Sequence, residues 1–327
     1  MEQVKDILRK EYNLIDMDEI FLGKDQKQQF KLGLDKTTKT IFYTEENIEF
    51  FKNKDIQELK DMKVSNDSIC VLAHGINEKF PFKFINHYDF WIRLKKLNSN
   101  TQVINHDMVK PLDFLFLSRR ETELRGELRN KLIEKNCLGN SIISYVRGSD
   151  RGVIMKNLEK QYEHPAFHDT NFKANNYHHP PAIWQVIPQQ FANTKYSIVA
   201  ETIETNGVHC MSEKIFKPII AGHIFIVLAG AGYLDYLRQN GFKTFHDYID
   251  ESYDRETDPI KRVDKIVLCC QDLASRNHIE LYKQVANITK HNRKLFFSDE
   301  HLQNLNINII EQVREHFRKR QLIGINV

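Results

Sequence analysis

Short, mostly apolar runs of four to six residues recur along this chain, each closed by polar or small residues. Ile69 to Ala73, Asp113 to Leu117, Ser141 to Val146, Ser197 to Ala200 and Ile224 to Leu228 have the length and composition of buried strands. Elsewhere the apolar positions switch to helical spacing. Over Thr122 to Asn136, Leu128 and Leu132 make an apolar face and Arg125 and Arg129 a basic one, with Gly139 as a stop signal. Helices are also predicted over 259–275 and 278–296. Ile309, Ile310, Val313 and Phe317 give the last twenty residues an amphipathic stretch that ends in Arg318-Lys319-Arg320. Strand and helix alternate from residue 111 onward, which argues for an α/β fold with a doubly wound parallel sheet. Residues 1–68 are charge-rich with small apolar islands and predict short strands and helices. Residues 148–182 are weakly periodic and predict loops and short helices over the sheet. Lys110-Pro111 reads as a linker, because proline keeps its predecessor out of helix.

The stretch from Tyr196 to Phe245 carries the clearest chemistry. The strand ending at Ala200 is followed by the carboxylate Glu201, and a polar loop leads to Ser212-Glu213-Lys214 at the start of an apolar-periodic segment. The next strand ends in small residues. In a parallel sheet, charged groups in these positions fall beyond the carboxyl ends of strands, where ligands bind. Ser212 is the expected N-cap, with Glu213 and Lys214 in the first helical turn. A helix N-terminus beside a lysine suits a phosphate, since free backbone N–H groups and the helix dipole both favour an anion. Lys217, one turn on, is a candidate for a second phosphate contact. The plainer alternative is a Glu balancing the dipole and a solvated Lys.

This block resembles the donor-binding motif of fucosyltransferase-like glycosyltransferases: an apolar strand ending in a carboxylate, a gap, then Ser212-Glu213-Lys214-Ile215-Phe216 and an apolar strand closed by glycine. It is still more similar to a group found in phage, giant-virus and bacterial genomes, in which the block continues into Gly241 to Phe245 and the acidic stretch Asp250 to Asp254. The resemblance covers about 60 residues, with soft boundaries. It implies a B-type glycosyltransferase fold, with two Rossmann-like domains facing a cleft. The expected divisions are an acceptor-side domain over 1–110, a donor domain over 111–300, and a C-terminal helix over 301–327 packing back on the first domain. The implied cosubstrate is a UDP-, GDP- or dTDP-sugar, with no prosthetic group and no metal, and with direct, inverting transfer to a hydroxyl of a glycan or glycoside. The implied donor-binding residues are Arg125, Glu201, Thr202, Ser212, Glu213, Lys214 and Lys217. Arg125 enters because it follows Ser118 by the seven positions that separate the family's serine and arginine. Thr202 and Arg119 each stand where the family has asparagine. The plainer reading of Arg125 is a surface helix arginine pairing with Glu121 or Glu127.

A catalytic base is expected from the N-terminal domain, because transfer needs a group to take the acceptor proton. Glu78 is the candidate, with His74, Asp89 and Asp107 as alternatives. Asp250, Glu251 and Asp254 read as a solvated loop rather than a metal site, and His164, His168, His178 and His179 lack a zinc-binding frame. His178 and His179 could instead line an acceptor cleft.

Composition narrows the class. At 327 residues, with 41% hydrophobic and 28% charged residues, the chain can bury a sizeable core. Net charge is only +3, and the surplus lies in residues 111–200, where twelve Lys/Arg face nine Asp/Glu. That balance does not predict a polyanion partner, so transfer to hydroxylated bases of viral DNA is the second reading of the acceptor. A non-catalytic nucleotide-sugar-binding protein is the alternative of another class. The five cysteines have no disulfide or metal spacing and read as buried free thiols. With neither a span of roughly 18 apolar residues nor a signal-peptide core, a cytoplasmic location is expected.

Overall fold

The computed structural model describes residues 1–16, 39–47, 68–77, 80, 82–118, 122–147, 152–156 and 184–323. The chain divides into two compact units, one made of 1–92 with 298–327 and the other of 93–297. Each is a layered α/β unit built on a sheet of mainly parallel strands, compatible with a Rossmann-like fold.

In the first unit, β1 (Asn13–Asp16), β2 (Thr40–Asn47), β3 (Ile69–His74) and β4 (Lys83–His87) lie side by side in that order, all parallel. Every residue of β3 is buried, as the apolar run Ile69 to Ala73 suits in a strand covered on both faces. Helix α1 (Glu2–Glu11) contributes Val4 and Leu8 to a core with Tyr43, Leu72 and Ile85. Ile309, Val313 and Phe317 of the long C-terminal helix (Asp299–Ile323) complete it. The amphipathic stretch at the end of the chain is therefore one face of a helix that covers this sheet.

The second unit holds β5 (Leu112–Ser118), β6 (Ile142–Arg147), β7 (Gly152–Lys156), β8 (Thr194–Ala200) and β9 (Ile224–Leu228). Their order is β9-β8-β5-β6-β7, parallel except for the antiparallel β7 at the edge. Helix α2 (Asp89–Leu97) contains the division between the units. Within the second unit follow α3 (Glu123–Glu134), α4 (Pro188–Asn193), α5 (Glu213–Ala221), α6 (Tyr233–Gln239), α7 (Pro259–Ser275) and α8 (His278–Phe297); the C-terminal helix is α9. Helix α3 packs on α7, with Leu128 and Leu132 fully buried and Lys131 bridging to Asp264.

Two local expectations are corrected. Helix α3 ends at Glu134, and the left-handed residue beyond it is Asn136, with φ 55°, rather than Gly139. Asparagine tolerates that conformation because its short amide bonds locally. Lys110, expected in a linker, is 3% exposed and belongs to the second unit. Its Nζ donates to the carbonyls of Phe191 (2.6 Å) and Thr194 (2.7 Å) and lies 2.8 Å from His106 Nδ1. Asn98 reinforces the attachment by donating to Trp184 O and accepting from the Val186 amide. These bonds hold residues 98–110 against the second unit, so the division falls near 92 and not at 110.

Candidate functional site

The site grows from the carboxyl ends of β8 and β9. The Glu201 amide donates to Leu228 O at 2.9 Å, so the ladder between the two strands extends to the first residue of the loop. The loop then passes over Gly230. A Cβ there would lie 2.2 Å from Thr205 O, which leaves room only for glycine. That close approach explains why β9 ends in small residues.

Helix α5 starts as its sequence predicts. Ser212 is the N-cap, its hydroxyl oxygen accepting from the Lys214 amide at 3.2 Å. Gly222 closes the helix in the left-handed region, with φ 69°. Between these caps Ile215, Phe216, Ile219 and Ile220 are buried, while Glu213, Lys214 and Lys217 are partly exposed.

Glu201 is not presented to solvent. It is 1% exposed, and its carboxylate receives the Ser212 hydroxyl (2.5 Å), the Ser212 amide (3.4 Å) and the Tyr233 hydroxyl (2.9 Å). Burial raises its pKa, and the Lys214 ammonium and the two hydroxyl bonds offset part of that rise. Lys214 lies just outside. Its Nζ is 2.7 Å from Glu213 Oε1, 3.1 Å from Thr202 Oγ1 and 3.4 Å from Ser212 Oγ. Burial works against this ammonium, yet Glu213 and Glu201 outweigh it and hold the pKa above the usual lysine value. Burial likewise opposes ionisation of Glu213, and Lys214 reverses the balance and lowers its pKa. Lys217 follows at i+3 from Lys214, on the same face of the helix. Burial lowers its pKa to about 8, Glu213 acting in the other direction.

Arg125 approaches from α3 and is 4% exposed. Its guanidinium donates to the carbonyls of Ala200 (3.1 Å) and Glu201, and its Nε lies 3.4 Å from Glu204 Oε1. Glu204 is thus the carboxylate beside the buried guanidinium, and Glu121 lies outside the described residues. Thr122 fixes the arrangement: its hydroxyl donates to Glu204 at 2.7 Å and accepts from the Arg125 amide at 3.2 Å. The guanidinium thus ties α3 to the end of β8.

All seven expected donor-binding residues of this unit therefore lie around the β8 and β9 ends, but in two roles. Thr202, Glu213, Lys214 and Lys217 have solvent access; Arg125, Glu201 and Ser212 form the buried frame. Sequence reading missed Tyr233, Glu204 and Thr122 as members of the frame. Thr122 carried a signal as the cap-type residue that opens its predicted helix, and Tyr233 as the residue that follows the small residues after β9.

Glu78, His164, His168, His178 and His179 lie outside the described residues. His74 is buried at the end of β3, its Nδ1 3.2 Å from His87 O. Asp89 accepts from the Tyr43 hydroxyl, and Asp107 is an exposed loop residue whose amide donates to Asn105. Asp254 caps the start of α6, accepting from the Leu234 amide at 3.0 Å, and Glu251 accepts from the Phe245 amide. With Asp235, Arg238 and Asp250 they line a cavity of about 440 Å³. Among the described residues, no three His, Cys, Asp or Glu side chains are grouped to hold a metal ion. No described helix is long and apolar enough to cross a membrane.

No protein-family model matches the chain, and no curated protein matches it.

Proposed function

We propose that this protein is a glycosyltransferase that moves a sugar from a nucleotide-sugar donor to a hydroxyl of a glycan or glycoside. The observation that carries the reading is the placement of Lys214 and Lys217 on one face of the first two turns of α5, beyond the carboxyl ends of two parallel strands. No hydrogen bond or ion pair to Lys217 occurs among the described residues, so an ammonium there is open to an anion. Two ammonium groups beside a helix N-terminus suit a diphosphate. Glu213 and Thr202, at the rim, suit the hydroxyls of a ribose or a sugar.

In the transfer, the acceptor oxygen forms a bond to the anomeric carbon as the bond from that carbon to the diphosphate oxygen breaks. The acceptor proton passes to a base, for which Glu78 is the candidate. Lys214 and Lys217 offset the charge that develops on the departing diphosphate. The B-type architecture, with two Rossmann-like domains facing a cleft, belongs to this proposal.

The test is a thermal-shift screen of the whole chain with UDP-, GDP-, dTDP- and CMP-sugars, with Lys214→Ala as control. A donor present at 100 times its dissociation constant should stabilise the protein by about 2.7 kcal/mol. The expected result is a shift with one nucleotide class that the variant abolishes. A flat response to all four overturns the reading. A shift without release of free nucleotide when acceptor glycans are supplied overturns the catalytic half of it.

A further inference from the structure

We propose that Tyr233 is a positioning residue for Lys214, acting through the buried carboxylate of Glu201 and the hydroxyl of Ser212. The inference rests on the donor-site reading of Lys214 and adds to it a residue no motif assigns.

The geometry forms a chain of three bonds. Tyr233, itself 2% exposed, places its hydroxyl 2.9 Å from Glu201 Oε1. Ser212 Oγ lies 2.5 Å from the other oxygen, Oε2, and Lys214 Nζ lies 3.4 Å from Ser212 Oγ. The proton count fixes the direction. An ionised carboxylate only accepts, so both hydroxyls must donate to it. With its one hydrogen aimed at Glu201, Ser212 turns its lone pairs toward α5. They then accept from the Lys214 amide and its ammonium.

This order depends on Glu201 remaining ionised at 1% exposure, where a carboxylate is costly unless donors surround it. Tyr233 supplies one of its three donors. Burial and Glu201 together hold the phenol well above its usual pKa, so it serves as a fixed donor. If Glu201 took up a proton, its own O–H would compete for Ser212 Oγ, and Lys214 would lose one of the two anions that keep it charged. The other charged groups facing Lys214 are Glu213, which holds it, and Arg125 and Lys217, which oppose it.

The experiment reads Lys214 directly and needs no ligand. The full-length protein is pulse-acetylated with acetic anhydride across pH 7 to 11, and Lys214 is quantified by peptide mass spectrometry, with exposed Lys283 as internal reference. Tyr233→Phe removes the donor and keeps the ring; Glu201→Gln removes the charge and keeps the shape. Both should move the Lys214 midpoint to lower pH, seen as a roughly threefold faster acetylation at pH 8, where the neutral amine is the minority form. A rate gain equal at every pH would report exposure alone and overturn the proposal. The double variant should match Glu201→Gln, since Tyr233 acts through that carboxylate. Additive shifts overturn the relay, as does an unmoved midpoint in Glu201→Gln should Tyr233→Phe not fold. UDP and GDP binding is measured on the same proteins. Loss of all nucleotide binding in the wild type, with the midpoint shift intact, would sink the donor reading and leave the relay standing.

Discussion

Ser212 Oγ lies 2.5 Å from Glu201 Oε2 and also caps the helix that carries Lys214. One hydroxyl thus satisfies a buried carboxylate and an orphan helix amide. Ser212→Ala should lose the cap, about 1 kcal/mol, and strip Glu201 of a donor, a further 1–3 kcal/mol. Chemical denaturation should show a loss of about 2–4 kcal/mol. A loss under about 0.5 kcal/mol would mean that Glu201 is satisfied in another way.

Arg125→Lys tests the frame from the other side. A lysine cannot span two strand-end carbonyls and Glu204 at once, since its donors radiate from a single nitrogen. The variant should be destabilised by about 2–4 kcal/mol even without ligand. If stability holds and only nucleotide binding falls, the guanidinium contacts the ligand rather than the strand.

Lys217→Ala should do the opposite. The residue is partly exposed, with no hydrogen bond or ion pair among the described residues, so stability should stay within about 0.5 kcal/mol of wild type. Affinity for a nucleoside diphosphate should fall about tenfold, the loss of roughly one charge-assisted contact. Calorimetric titration would decide it, and equal affinity in the two proteins would remove Lys217 from the site.

Lys110 predicts a pH dependence. Burial lowers its pKa to about 7, against an ordinary value near 10.4 in the unfolded chain. Between these values the unfolded state binds the extra proton, so this group's contribution to stability rises with pH from about 7 to about 10 and is lost as pH falls through 7. Wild type minus Lys110→Met, compared by urea denaturation across that window, should show the rising limb. A flat difference would mean that its three acceptors keep the ammonium charged in the folded state.

The local pattern foretold much of the second unit. Helix α7 spans 259–275 as predicted, and β8, α5 and β9 follow from apolar runs and an N-cap serine. Such signals lie within a few residues of what they specify. The candidate site was legible for the same reason, because Glu201 and Ser212 to Lys217 cluster within one strand–loop–helix segment. The helix stop at Asn136 was misplaced because glycine is the stronger prior and asparagine the local exception.

What the sequence determined by itself was therefore the alternation of elements, the charged residues at strand ends and the N-cap of α5, all set by short-range sterics and hydrogen bonding. Tertiary structure alone decided which of those residues face solvent. One donor to Glu201 lies 32 positions away at Tyr233, Arg125 reaches carbonyls 75 and 76 positions away, and Lys110 finds acceptors at 191 and 194. No local periodicity encodes such pairings. They exist because parallel strands bring distant loops to one edge, where buried charges must find donors or acceptors from whatever the fold has placed beside them.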